Sequence, residues 1–272
     1  MDLSNVYPPH SDQVSDDHLF DILVKAVDDH SDFILQHLES APQTNEVRRA
    51  SMLFPGFQLI AEKTGIKEFV TSELGASAGL NLFWDHYRYQ YGSKSWGSDD
   101  APLTLSPDYK GSLPEFTDLS VVERAGCDLN PIDVHDRNEK EKLLSYLWPD
   151  QFERIKNTSL AIDFVSGEQD RVEKSDAIKW LERRLKRQYQ NIVHVIYHTI
   201  AWQYFPESAQ QRGEQLLHEA GSRASKDAPL AWLRLEADRK TPGAALTLTL
   251  WPTGETVDIA RGDFHGRWIN FN

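Results

Sequence analysis

The sequence predicts an α/β fold: a three-layer, Rossmann-like sandwich around a mainly parallel sheet, in a single domain over residues 1–272. Three observations predict it. Short apolar runs alternate with helical segments of roughly ten to fifteen residues, and that spacing calls for crossover connections between parallel strands. The first such run leads into a turn of small residues, Gly75-Ala76-Ser77-Ala78-Gly79. The C-terminal third closes differently: the runs at 245–251 and 255–259 flank Pro252-Thr253-Gly254 and predict an antiparallel hairpin.

Taken in order, residues 16–38 place Leu19, Ile22, Leu23, Ala26, Val27, Phe33, Ile34 and Leu38 mostly at intervals of three and four, which predicts a helix. A second helix is expected from Asn45 through Ala50, Leu53, Phe57 and Ile60, with Pro55 ending or kinking it. Residues 1–65 thus read as a helical segment packed on the domain. Strand 67–74 and a short helix at 80–87 follow. Residues 87–118 read as an inserted hairpin or lid; Tyr87, Tyr89 and Tyr91 share one strand face there, a pattern suited to cross-strand packing. Next come strand 121–129, a helix within 138–159, strand 161–165, helix 175–189, strand 192–199, helix 207–220 and strand 230–236. Trp96, Trp148, Trp180, Trp232, Trp251 and Trp268 are assigned to core or edge packing.

Composition narrows the function classes. With 40% hydrophobic and 11% aromatic residues the chain can bury a large core. A formal charge of −13 repels polyanions, so neither nucleic acid nor an anionic membrane is an expected partner, and a small-molecule substrate is favoured. The run Arg183, Arg184, Lys186, Arg187 alternates with Leu181 and Leu185 and reads as a solvated helix face. Cys127 is the only cysteine, which excludes an internal disulfide or a thiolate zinc site and fits a reducing, cytoplasmic compartment. Residues 1–10 lack the features of a secretory leader, and no stretch approaches the ~18 apolar residues of a membrane span.

The candidate site begins at the glycine turn, where a ligand can approach the backbone and meet helix N–H groups. Asp128, at the end of the second strand, suits the two ribose hydroxyls of a nucleoside, or equally an Asx turn before Pro131. Glu73 and Asp128 are 55 positions apart, so an insertion must separate the two motifs, and the tyrosine-rich hairpin supplies it. Asp176 stands before a helix, where it serves as a cap or as an acceptor for an adenine amino group. His198 and the run Ile200-Ala201-Trp202-Gln203-Tyr204-Phe205 follow the strand whose carboxyl end should face the ligand.

Pro42-Gln43-Thr44-Asn45-Glu46-Val47 and the stretches 73–91, 126–134 and 198–206 resemble a bacterial family of uncharacterised proteins, the DUF2332 family, over nearly the whole chain from Tyr7. The family is similar to class I S-adenosylmethionine-dependent methyltransferases, and its members usually carry a further helical segment upstream. The resemblance implies a methyltransferase-type fold with S-adenosylmethionine as cofactor. It puts Glu73, Gly75, Ser77 and Gly79 around the methionine part, Asp128 and Asn130 at the ribose and Asp176 near the adenine. Asn45, Glu46 and Arg49 match an N-terminal motif expected to fold over the site as a lid, or to cap a helix. His198 and Tyr204 are the catalytic candidates, with Trp202 and Tyr89 shaping the acceptor side. Ala76, Ser77 and Ala78 depart from the glycine-richer loop usual in such enzymes.

Two other classes stay open. The turn also fits a G-x-S-x-G nucleophile elbow, with Ser77 as nucleophile and His265 as base, although helices rather than strands precede it. A non-catalytic Rossmann-like binding protein is the second. His194 and His198 are four apart, but Val195 between them and the β-like context argue against a metal.

Overall fold

The computed structural model describes residues 3–7, 14–38, 42–169 and 172–272. Half of the stretch read for a leader, positions 1–2 and 8–10, lies outside the described residues. The N-terminal helices are α1 (Leu3–Val6), α2 (Asp16–Asp29) and α3 (Ser31–Leu38), so the helix expected over 16–38 breaks at His30. Ser15 opens α2 by accepting from the His18 N–H at 3.3 Å. Ile22 is the only buried residue of α2 and α3 has none, while His37 of α3 meets the Tyr146 ring at 5.5 Å.

The packing is done by α4 (Ala50–Thr64), preceded by a 3-10 turn at Val47–Arg49. Pro55 lies inside α4 without ending it. A proline lacks the N–H that would bond the carbonyl four residues back; the Tyr91 hydroxyl donates to that carbonyl, Ser51 O, and satisfies it. Tyr91 belongs to a small three-stranded sheet of β2 (Arg88–Tyr91), β3 (Lys94–Trp96) and β4 (Thr104–Leu105). Tyr87, Tyr89 and Tyr91 are fully buried, and the Tyr89 ring stacks on Phe54 with centroids 4.4 Å apart. The tyrosines of the insertion therefore anchor α4.

The main sheet has nine strands in the order β5-β12-β11-β10-β9-β8-β1-β6-β7 and is mostly parallel. Its strands are β1 (Glu68–Leu74), β5 (Asp108–Lys110), β6 (Ser120–Asp128), β7 (Val172–Lys174), β8 (Val193–Thr199), β9 (Leu230–Glu236), β10 (Ala244–Trp251), β11 (Glu255–Gly262) and β12 (Trp268–Phe271). β10 and β11 form the expected antiparallel hairpin, and β12 and β5 extend the sheet beyond it. The helices of the second half are α5 (Arg137–Ser145), α6 (Phe152–Ser166), α7 (Ala177–Arg184) and α8 (Glu207–Gly221).

Both faces of the sheet are covered. Val193, Val195 and Tyr197 of β8 join one core cluster with α4 and α6, while Ile196 joins another with α7 and α8. This alternation follows from the two-residue period of a strand. The strand expected at 161–165 is the end of α6: Ala161, Ile162 and Val165 are buried at helical spacing, and the true third parallel strand is the three-residue β7. Trp148, assigned to packing, is 67% exposed. Among the described residues no helix is long and apolar enough to cross a membrane.

Phe57 is fully buried, with its ring stacked on Trp84 at 3.9 Å. Phe57→Ala is expected to cost roughly 3–5 kcal/mol of stability, the usual range for an emptied aromatic site, measured by urea unfolding. A loss below about 1 kcal/mol would show that α4 is not held by this core.

Candidate functional site

The carboxyl ends of β1, β6 and β8 open on a cleft of about 1020 Å³. β6 flanks β1 on one side and β8 on the other. An open parallel sheet leaves a crevice at such a point because the chain departs from the central strand in both directions.

The turn after β1 forms one wall. Gly75, Ser77 and Gly79 all have positive φ, at 70°, 54° and 76°. Left-handed backbone suits glycine but strains serine. The neighbouring strand imposes the shape: Cys127 O accepts from the N–H groups of Gly75 (2.9 Å) and Ala76 (3.0 Å). Asp128 Oδ2 accepts from Ser77 N at 3.0 Å and Oδ1 from Asn130 N at 2.9 Å. Asp128 thus makes the Asx turn before Pro131 and also ties the glycine turn to β6. Each carboxylate oxygen has a second lone pair, so the ribose reading survives beside the structural one. Gly126 makes the close approach possible, since a Cβ there would lie 2.8 Å from the Ala76 Cβ.

The opposite wall follows β8. Ile200 has a φ of 50°, a conformation that a β-branched residue adopts only when its surroundings force it. Glu236 at the end of β9 supplies the force: its Oε1 accepts from Ala201 N at 2.9 Å, Trp202 N at 3.1 Å and His198 Nδ1 at 2.6 Å. Burial raises the Glu236 carboxyl, but the His198 bond and the two N–H groups outweigh it and bring it below the usual range. His198 Nε2 accepts from the Trp232 indole N–H at 3.0 Å, and the ring stacks on Trp202.

His198 is fully buried with both ring nitrogens engaged, so it holds the loop instead of meeting a substrate. Trp202 is buried in the same stack and does not line the cleft. Tyr204 does line it and is 74% exposed.

Of the other candidates, Gly75, Ser77, Asp128, Asn130, Asn45 and Arg49 come together on the cleft. Asn45 is a fixed post: its Oδ1 accepts from Leu80 N at 2.9 Å, at the end of the glycine turn. Arg49 is buried, and its N–H groups meet the carbonyls of Phe264 (2.8 Å) and Thr199 (3.2 Å). Glu73 lies beneath the turn at 1% exposure, 3.3 Å from the Tyr197 hydroxyl, and burial pushes its carboxyl well above the ordinary range. Asp176 caps α7 by accepting from Ile178 N and Lys179 N and is not part of the wall. Tyr89 packs in the core. Ser77 Oγ is buried, and among the described residues it has no hydrogen-bond partner and no attending base as a nucleophile elbow requires; His265 sits by Glu46 instead.

Glu46 is also behind the wall. Arg154 Nε lies 2.5 Å from its Oε2, Arg48 Nε 3.1 Å from its Oε1 and His265 Nδ1 3.6 Å away. This cluster joins the 3-10 turn to α6 and to the loop before β12, and so fixes the turn that carries Arg49.

Sequence reasoning missed Glu236, Lys142, Tyr146 and Lys174, the last three of which line the cleft. An acidic residue ending β9 was the available signal for Glu236. Nothing in the residue type announces a strained isoleucine.

These features define a mixed α/β protein with a ligand-sized crevice at the switch point of its parallel strands. The chain belongs to the DUF2332 family, described as an uncharacterized protein conserved in bacteria, whose model matches residues 1–271. No curated protein and no solved structure matches the chain.

The ion cluster gives a pH-dependent prediction. Burial alone would raise the Glu46 carboxyl, but His265, Arg48 and Arg154 hold it at about 2 instead of 4.5. A depressed carboxylate stabilises above its unfolded pKa, and that stability is lost as pH falls through the folded value. Glu46→Gln is therefore expected to cost roughly 3 kcal/mol at pH 7, with the gap to wild type closing between about pH 4.5 and 2. Urea unfolding across that range checks it; a gap independent of pH would remove the charge from the account.

Proposed function

We propose that the cleft binds S-adenosylmethionine and that the protein transfers its methyl group to a small-molecule acceptor. The observation that carries this reading is the pairing of the positive-φ turn, 75–79, with the Asp128 carboxylate at the end of the adjacent strand. Such a pair offers backbone N–H groups and close approach to one part of a nucleoside ligand and two carboxylate oxygens to its ribose hydroxyls. Leu129, 64% exposed on the cleft, gives an apolar surface for a purine face. The unpartnered Ser77 Oγ fits a ligand that brings its own polar atoms.

The strand order supports the same fold reading. The parallel strands β7, β6, β1, β8 and β9 stand in the order third, second, first, fourth and fifth, the Rossmann order, and the antiparallel β10 lies beyond them.

S-adenosylmethionine supplies an already activated methyl on a sulfonium. The chain's own part is to hold the acceptor in line, exclude water and accept a proton where the acceptor must lose one. Among the described residues no histidine lines the cleft, so Tyr204 is the catalytic candidate that reaches it. The acidic surface favours a small molecule over nucleic acid as acceptor.

Calorimetric titration tests the reading. Wild type is expected to bind S-adenosylmethionine and S-adenosylhomocysteine at micromolar concentration, and Asp128→Asn to bind about tenfold or more weakly. Failure of wild type to bind either ligand overturns the proposal. Binding without methyl transfer to any acceptor would leave a non-catalytic binding protein.

A further inference from the structure

Arg49 carries a full charge that the protein itself does not neutralise at contact distance. It is 8% exposed and lines the cleft where the 3-10 turn meets the end of β8. Its two hydrogen bonds go to main-chain carbonyls, Phe264 O and Thr199 O. Among the described residues no carboxylate lies within 4 Å of it, whereas Arg154, at 5% exposure, is paired with Glu46 at 2.5 Å. Glu46 and Glu236 act on Arg49 only from farther out, and both have closer partners: Arg48 and Arg154 for Glu46, His198 and two backbone N–H groups for Glu236. Buried guanidinium groups are ordinarily paired, because an unneutralised charge in a poorly hydrated site is costly.

Two neutral donors line the same cleft as Arg49. Asn45 has its Oδ1 occupied by Leu80 N, which leaves the amide nitrogen as its remaining hydrogen-bonding end. Ser77 Oγ, 4% exposed, has no hydrogen-bond partner among the described residues. A planar guanidinium on a cleft that also carries neutral donors matches a carboxylate in charge and in its paired acceptor oxygens.

We infer that Arg49, assisted by Asn45, is the seat of a carboxylate group on the ligand that fills the cleft. This deepens the proposed function and concerns the same cavity. The carboxylate has two possible bearers: the amino-acid end of S-adenosylmethionine, or the methyl acceptor. The carbonyls of Phe264 and Thr199 hold the guanidinium in place before the ligand arrives, which spares the cost of ordering a long side chain on binding.

The experiment compares wild type with Arg49→Gln, using malonate as a bare dicarboxylate probe in thermal unfolding. S-adenosylhomocysteine and 5′-methylthioadenosine, the same nucleoside without its amino-acid end, are titrated by calorimetry. Malonate is expected to raise the unfolding temperature of wild type and not of the variant. Should the cofactor bear the carboxylate, the variant binds S-adenosylhomocysteine about tenfold or more weakly and 5′-methylthioadenosine unchanged. Should the acceptor bear it, both nucleosides bind the variant normally, and malonate still stabilises wild type saturated with S-adenosylhomocysteine.

If neither nucleoside binds wild type, the cofactor reading falls and the malonate comparison alone decides the seat. Identical responses of wild type and variant to malonate and to S-adenosylhomocysteine overturn the inference, as does a wild type that responds to neither. Should Arg49→Gln fail to fold, Arg49→Lys replaces it: weakened malonate binding supports the fork-shaped seat and unchanged binding overturns it.

Discussion

The end of β6 governs the cleft. Cys127 O takes two N–H groups of the glycine turn and Asp128 takes a third, so the backbone after β1 is shaped by hydrogen bonds from the neighbouring strand. That constraint explains why a serine tolerates left-handed backbone at position 77, and why Gly126 must be bare enough for Ala76 to lie against it. The turn in turn presents Leu80 N to Asn45, which binds the N-terminal segment to the same wall. A turn held this way keeps its shape without a ligand, and preorganisation is what makes a backbone cradle effective.

A second clamp mirrors the first. Glu236 fixes the loop after β8 through the N–H groups of Ala201 and Trp202, with His198 and Trp232 completing the network. The two clamps put strained non-glycine residues, Ser77 and Ile200, on the walls of one cleft. Strain is maintained where the surroundings over-determine it, and such places are commonly functional. The Glu46 cluster then sets the position of Arg49 from behind, so three acidic residues brace the cavity: buried Glu46, partly buried Glu236 and, below the turn, buried Glu73.

Much of this was legible in the chain. The small-residue turn, the carboxylate after the second strand and the run after β8 were readable because they are local: a strand, a turn and a polar residue follow one another within a few positions. The antiparallel hairpin was legible for the same reason, through Pro252-Thr253-Gly254. The burial of His198 was not legible, because Glu236 and Trp232, which occupy its nitrogens, lie 38 and 34 positions away. Ala161, Ile162 and Val165 read as a strand since a short apolar run carries no decisive period, and only the packing of α6 resolves it. Tyr89 and Asp176 turned out to serve the core and a helix cap, roles their residue types fit equally well.

The most direct measurement is a crystal structure of the full chain grown with saturating S-adenosylhomocysteine. The account predicts density for the nucleoside across the turn at 75–79, with its ribose hydroxyls on Asp128. An empty cleft, or the nucleoside bound elsewhere, would contradict it.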